Sequence, residues 1–381
     1  MGIRSFFAPV DRTPEETRVS ILPAQVKKLA DLGAEVVIER GLGARLGVPD
    51  QAYVDAGATL VSEWDEGLNQ ADGILALNPP DRDSLLKMDQ TKILISYLHP
   101  FQHPDVVDSL CQAKAKALCM ELIPRTTLAQ KMDALSSQAS LAGYAAVILA
   151  AEKLDRVFPM MMTPAGTLSP ARVLIIGAGV AGLQAIATAK RLGARVEAYD
   201  TRPQVATEIT SLGAKFIDLG VSGEQTDQGY AKALTDDQIA AQRAALAKHC
   251  AQADIIITTA AVFGRKAPVI ITEEMVDGMS PGSIIIDGAA ETGGNVACSS
   301  PGEEVERNGV RVIALKNLAG RVPVNASDMY SSNLCHLITH FWNKETKEMR
   351  LDESDEIMAG CLAVKDGRIT SDRLKHLLGK A

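Results

Sequence analysis

The chain has 381 residues, with 39 Lys and Arg against 47 Asp and Glu, a net charge of −8, 46% apolar and 23% charged residues. This length favours two domains over one. An acidic balance with no long basic run argues against nucleic acid as the main partner. The six cysteines (Cys111, Cys119, Cys250, Cys298, Cys335, Cys361) form no CxxC pair, so reduced thiols in a cytosolic protein are expected, with no metal site. The opening MGIRSFFAPVDRTPEE lacks the apolar core of a signal peptide. The longest nearly apolar run, Ala139 to Ala151, falls short of the ~20 residues that a bilayer span needs, so a soluble protein is expected.

In chain order, Ile3 to Pro9 reads as a first strand. A helix from Ser20 or Pro23 to Leu32 follows, stopped by Gly33, and then a strand from Glu35 to Glu39. The rhythm recurs: an acidic helix near Ser62 to Gln70, strands at Gly73 to Leu77 and Lys92 to Tyr97, a helix at Pro104 to Lys114 and a strand at Ala117 to Glu121. Alternating strands and helices predict a parallel sheet covered on both faces. Asp133 to Leu154 is a long alanine-rich helical pattern, read as a connection into a second domain. The run Met160-Met161-Met162 is expected to fill core.

The second domain opens on ARVLIIGAGVAGLQAIATAKRLGARVEAYDTR, residues Ala171 to Arg202. Arg172 to Ile176 reads as a buried strand, Gln184 to Leu192 as a helix ended by Gly193, and Arg195 to Tyr199 as the next strand. Between them lies Gly177-Ala178-Gly179-Val180-Ala181-Gly182. Gly177 permits the tight turn, Gly179 lets a pyrophosphate approach the backbone, and Gly182 allows close helix–strand packing. The helix N-terminus offers N–H groups and positive dipole to phosphate. Asp200 ends the second strand where a ribose 2′-OH acceptor is expected, and its charge favours NAD over NADP. Arg202, two residues on, weakens that preference.

Farther on, Gly220 to Tyr230 reads as a mobile polar loop with one aromatic near its tip. Asp236 to Cys250 is helical, and Asp254 to Thr259, Ser283 to Asp287 and Val310 to Leu315 are strands. Loops after such strands lie on the ligand side of an open sheet, which puts Thr258, Thr259, Ala260 and Ala261 near a cofactor. Ser327 to Trp342 reads as a second long helix, capped by Ser327 or Asp328 and returning the chain to the first domain. The predicted fold class is α/β: two Rossmann-like, doubly wound parallel-sheet domains joined by two long helices. Their expected bounds are 1–132 with 327–381 for the first and 133–326 for the dinucleotide-binding second.

Other chemistry-bearing groups are few. Arg125, Gln130, Asp133 and Ser136 lie near the expected domain junction, where they suit either a nicotinamide carboxamide or a helix cap with salt bridges. His99 and His103 are separated by Pro100 and precede Pro104, so they share no ordinary helix and form no metal pair. His336 and His340 share a helical face without a third ligand and read as surface or packing residues. No Ser–His–Asp or Cys–His arrangement is legible, and hydride transfer needs none.

Four stretches carry a resemblance: MELIPRTTLAQKMDALSSQASLAGYAAV, the glycine-turn run with DTRP, GYAK at Gly229 to Lys232, and ITEEMVDGMSPGSIIID. Together they resemble the NAD(H)-binding domain I, or alpha subunit, of proton-translocating NAD(P) transhydrogenase. The likeness runs from ETRVSILP at Glu16 to Pro23 through LAGRVPVNASDMYSSNL. It departs at Thr258 to Pro268, TTAAVFGRKAP where the family often has TTALIPGKPAP, and at Asp287-Gly288-Ala289, where it often has DLA.

The resemblance implies that NADH bound here passes hydride to NADP⁺ on a partner domain, coupled to proton movement by a separate membrane-spanning subunit. It implies a homodimer, cytoplasmic and held peripherally at the inner membrane through its partners. It assigns Arg125, Gln130, Asp133 and Ser136 to the nicotinamide. It assigns Gly177, Gly179, Val180, Ala181, Gly182, Asp200, Thr201, Arg202, Gly229, Tyr230, Thr259, Ala260 and Ala261 to the cofactor, with Tyr230 closing over it. The alternative is an alanine dehydrogenase-like oxidoreductase. Arg18 and His99 sit in matching contexts for it, but Ile74 to Pro80 contains no lysine to act on the α-carbon. A non-catalytic NADH sensor is a third reading, opposed by the Arg-Gln-Asp set.

Overall fold

The computed structural model describes residues 2–220, 235–261 and 264–380. In chain order the elements begin with β1 (Ser5–Ala8), α1 (Pro23–Asp31), β2 (Glu35–Glu39), α2 (Asp50–Asp55), β3 (Thr59–Val61), α3 (Trp64–Gln70), β4 (Gly73–Leu75), α4 (Arg82–Leu86), β5 (Ile93–Ser96), α5 (Pro104–Ala113) and β6 (Lys116–Cys119). After α6 (Ala134–Lys153) come β7 (Met161–Thr163), β8 (Gly166–Leu168), β9 (Arg172–Ile176), α7 (Val180–Arg191), β10 (Arg195–Tyr199), α8 (Ala206–Ser211), β11 (Lys215–Phe216), α9 (Asp236–Gln252), β12 (Ile255–Thr258), α10 (Glu273–Asp277), β13 (Ile284–Asp287), β14 (Glu304–Arg307) and β15 (Val310–Ile313). The chain closes with α11 (Pro323–His340), β16 (Trp342–Asn343), β17 (Glu348–Met349), α12 (Glu356–Cys361), β18 (Leu362–Lys365), β19 (Arg368–Ile369) and α13 (Asp372–Leu377).

Two compact units emerge, one of residues 1–138 with 322–381 and one of residues 139–321. The chain leaves the first within α6 and re-enters it immediately before α11.

Among the described residues the first unit holds an eight-stranded sheet in the order β19-β18-β6-β5-β4-β1-β2-β3. The run from β6 to β3 is parallel, and β18 and β19 extend it antiparallel. All four residues of β1 and of β5 are buried, the continuous apolar burial of strands covered on both faces. α1 starts with Pro23 in its first turn and stops at Gly33, whose φ of 91° only glycine tolerates comfortably.

Among the described residues the second unit repeats the plan in a seven-stranded sheet, β11-β10-β9-β12-β13-β15-β14, parallel except at β14. Isoleucines at 255–257 and 284–286 fill its centre. In both sheets the chain winds outward from β1 or β9 in one direction and then the other, so strand order reverses between β1 and β4 and between β9 and β12. Such reversals leave a crevice at the carboxyl ends of the two strands.

Several expectations need correction. The methionine run does not fill core: Met160, Met161 and Met162 are 61%, 43% and 76% exposed, with the latter two on the β7–β8 hairpin. The second long helix starts at Pro323, not at Ser327. Ser327 is fully buried within it and accepts a hydrogen bond from the Val19 N–H at 2.9 Å. Pro323, with its φ preset for a helix and no N–H of its own to satisfy, sets the start earlier than the Ser-Asp signal indicates. α6 is 20 residues long and by length and composition has the dimensions of a membrane span, which the shorter apolar run did not suggest. One side of it, Ala146, Val147, Leu149 and Ala150, lies in the core of the second unit.

Candidate functional site

The crevice of the second unit is built on the β9–α7 turn. The Gly177 N–H donates to the Tyr199 carbonyl at 2.9 Å, and the Thr259 N–H donates to the Ile176 carbonyl at 2.8 Å, so the ends of β10, β9 and β12 are fastened together. Gly177 adopts φ 94°, and a Cβ there would lie 2.9 Å from the Ala260 nitrogen. A Cβ on Gly182 would lie 1.8 Å from the Gly177 carbonyl oxygen. Glycine is obligatory at both positions for steric reasons. At Gly179 the space a Cβ would enter is open for 4 Å, which leaves the backbone approachable from solvent. Val180 and Ala181 begin α7, whose first-turn N–H groups have no intrahelical acceptor. α6 presses on this turn: a Cβ on Gly143 would lie 2.1 Å from the Ala181 carbonyl oxygen.

Asp200 ends β10 and is nearly buried. Its Oδ2 accepts from the Ala178 N–H at 2.7 Å, and its Oδ1 accepts from the Arg202 N–H at 2.8 Å. The Arg202 guanidinium grips both oxygens, Nε to Oδ1 at 2.9 Å and the second nitrogen to Oδ2 at 2.9 Å. The hydrogen bond and charge of the carboxylate, itself only 6% exposed, outweigh burial and raise the Arg202 guanidinium further above its ordinary value. Thr201 is half-buried between them. The acid follows β10 as the spacing predicts, and its oxygens accept from the Ala178 and Arg202 N–H groups and from the Arg202 guanidinium.

On the other wall, the Thr259 hydroxyl donates to the Gly177 carbonyl at 2.9 Å, and Ala260 packs beneath the turn. Ala261 is exposed. Thr258 is fully buried, with its hydroxyl donating to Asp287 Oδ1 at 3.2 Å. The structure therefore brings Gly177, Gly179, Val180, Ala181, Gly182, Asp200, Thr201, Arg202, Thr259, Ala260 and Ala261 to one end of one sheet. Gly229 and Tyr230 lie outside the described residues.

The first unit carries Arg125, Gln130, Asp133 and Ser136. Asp133 follows a single turn at Gln130–Met132 and caps α6: Oδ1 accepts from the Ser136 N–H at 2.9 Å and Oδ2 from its hydroxyl at 2.6 Å. Arg125 and Gln130 are exposed. The helix cap thus exists, and it leaves the amide of Gln130 at the surface.

The same unit has a polar network across its own strand-order reversal. Asn78, after β4, donates to Asp11 Oδ2 at 2.9 Å and to Glu16 Oε2 at 3.1 Å. Its Oδ1 lies 2.9 Å from His99 Nε2. Arg18 makes a two-pronged pair with Glu16, both bonds 2.8 Å, and donates to Gln138 Oε1 at 2.8 Å. Burial pushes the Glu16 carboxyl up, but the hydrogen bonds and charge of Arg18 outweigh it and hold the group down at about 2. Buried Glu121 accepts from the Leu98 and His99 N–H groups and from the Cys119 thiol. Burial and that carboxylate push the Cys119 thiol well above its ordinary value. The segment Ile74 to Pro80 thus presents the amide of Asn78 to this network and contains no lysine. Among the described residues no group of three or more His, Cys, Asp or Glu is placed to hold a metal ion.

Two doubly wound sheets, one with a glycine turn and a strand-end acid at its reversal point, define a dinucleotide-fold protein of two α/β units. Residues 8–142 match the model described as alanine dehydrogenase/PNT, N-terminal domain, and residues 146–372 match alanine dehydrogenase/PNT, C-terminal domain, so the chain belongs to the alanine dehydrogenase/PNT family. It is 37% identical over 361 residues, 94% of this chain and 70% of the relative, to NAD(P) transhydrogenase subunit alpha of Haemophilus influenzae. Against the first portion of the same subunit in Rhodospirillum rubrum, identity rises to 44% over 374 residues, 96% of this chain and 97% of the relative. It is similar to the solved transhydrogenase of Sinorhizobium meliloti, with a TM-score of 0.85, 39% identity, and coverage of 96% and 99% of the two chains. Alanine dehydrogenase of Methanococcus maripaludis is a more distant relative, 24% identical over 95% of this chain and 93% of its own.

Proposed function

We propose that the chain is the NAD(H)-binding component of a proton-translocating transhydrogenase. The observation that carries this reading is the β9–α7 turn, open at Gly179 and flanked by Asp200 and by Thr259 to Ala261. The N–H groups of the turn and of α7 suit a pyrophosphate, and Asp200 suits an adenosine ribose. NAD(H), when bound, supplies the transferable hydride. The residues of the chain hold and orient, with Arg125, Gln130, Asp133 and Ser136 assigned to the carboxamide of the nicotinamide. One glycine turn serves one nicotinamide, so NADP(H) belongs to a partner domain. A membrane-spanning partner couples the exchange to proton movement and holds a cytoplasmic homodimer at the membrane.

Calorimetric titration with NADH and NADPH tests the cofactor assignment, and equal affinities would overturn it. Stopped-flow hydride transfer to an oxidised NADP analogue on a family NADP-binding domain tests the reaction. Against the alanine dehydrogenase reading stands Asn78, hydrogen-bonded to Asp11 and Glu16, in a segment without lysine.

A further inference from the structure

We propose that Asn295 is a positioning residue of the dinucleotide site: its carboxamide, set in place by the Asp287 carboxylate, holds the Ala260 backbone against the glycine turn. This rests on the reading of the second unit as the NAD(H) site. Asp287 ends β13, is fully buried, and among the described residues has no cation among its hydrogen-bond donors. Its charge is instead met by the Asn295 N–H at 3.0 Å to both oxygens, the Val296 N–H at 3.2 Å, the Ala289 N–H at 3.2 Å, and the hydroxyls of Thr258 at 3.2 Å and Ser299 at 2.7 Å. So many donors on one buried carboxylate fix the loop that carries them. Gly294 completes the fit: with φ 79°, a Cβ there would sit 2.8 Å from Asp287 Oδ2.

The loop aims the Asn295 side chain, itself fully buried, at the segment after β12. Asn295 Oδ1 accepts from the Ala260 N–H at 3.1 Å, while Nδ2 donates to the Ala260 carbonyl at 2.8 Å and to the Pro268 carbonyl at 2.8 Å. One carboxamide thus pairs with both backbone groups of Ala260 and ties down Pro268, where the segment ends. Ala260 in turn lies against Gly177. No other side-chain type of this size offers one acceptor and two donors in this arrangement. Aspartate would set an oxygen against two carbonyls, and leucine would take the side-chain partner from the Ala260 N–H and from the Ala260 and Pro268 carbonyls.

The test uses the full chain and NADH as the probe, with calorimetry for affinity and stoichiometry and thermal melts for stability. Asn295→Ala is expected to raise the NADH Kd by about tenfold with one site per chain retained, as for loss of correctly aimed backbone groups. Ser299→Ala removes a donor from Asp287 without touching Ala260, and is expected to lower Tm while leaving Kd within about twofold. Asn295→Asp is expected to bind weakly at about pH 8 and to recover toward parental affinity near pH 5, because protonation restores a donor toward the two carbonyls. A purely structural role would not produce that profile. Parental affinity in Asn295→Ala, an equal loss of affinity in Ser299→Ala, or a flat profile in Asn295→Asp overturns the inference alone. Failure of the parental chain to bind NADH overturns the site assignment and this inference together.

Discussion

The ion pair on Asp200 changes what its substitution should do. Asp200→Ala removes a charge-assisted ribose contact, so NADH affinity is expected to fall by roughly 1 kcal/mol, several-fold in Kd. The same substitution removes the carboxylate that the Arg202 guanidinium grips and that would repel a 2′-phosphate on the proposed reading. NADPH affinity is therefore expected to rise rather than fall, and paired titrations with both nucleotides read the outcome. If both affinities fall together, Arg202 does not shape the choice. Glu16 supports a second residue-scale prediction. Its carboxyl falls from 4.5 to about 2 on folding, so its stabilisation is complete above pH 4.5 and is lost as pH drops toward 2. The difference corresponds to about 3 kcal/mol. Urea melts across that range should show Glu16→Gln losing less stability than the parental chain, and parallel curves would refute the pairing argument.

At the scale of elements, the turn between β9 and α7 sets the strictest demands. Gly182→Ala forces a methyl within 1.8 Å of the Gly177 carbonyl, so α7 must move away from β9. Overpacking of this kind costs about 1–3 kcal/mol, and the displaced turn is expected to lose NADH affinity by at least about tenfold. Circular dichroism melts and titration check both, and an unshifted Kd would separate the turn from the cofactor. The turn itself was legible, because its glycines answer to local sterics and its strand and helix to local periodicity. The β7–β8 hairpin was not. Three methionines in a row look like core filler, yet Pro164, Ala165 and Gly166 turn the chain so that they face outward. α11 starts four residues before Ser327, with Pro323, whose fixed φ suits the first turn, and with no side-chain cap.

For the whole molecule, the chain alone is expected to show no transhydrogenation and to gain it with an NADP-binding domain. Hydride transfer needs donor and acceptor carbons roughly 3–3.5 Å apart, and one glycine turn holds one nicotinamide. Replacing Gln130 or Asp133 should slow transfer more than it weakens NADH binding, since orientation is lost before affinity. Parental transfer rates in those variants, followed by stopped flow, would remove them from the catalytic set. No NAD-dependent turnover of alanine, or of pyruvate with ammonia, is expected. A steady-state assay showing it would favour the dehydrogenase branch of the family despite Asn78.

The sequence by itself determined the alternation of strands and helices, the long α6, the glycine turn and the acid at the end of β10. Each depends on residues within one turn, one helix or one βαβ unit, where sterics and periodicity act over short distances. Only the tertiary structure decided that Arg202 fills Asp200, since a rotamer choice is invisible in DTR. Only it joined Asp11, Glu16, Asn78 and His99 across one reversal point, and Thr258, Asp287 and Asn295 behind another. Apart from the eight-residue loop from Asp287 to Asn295, those contacts span tens of residues of chain. They exist because parallel strands far apart in sequence end side by side, and a buried polar group must find its partners there, wherever the winding of the sheet has put them.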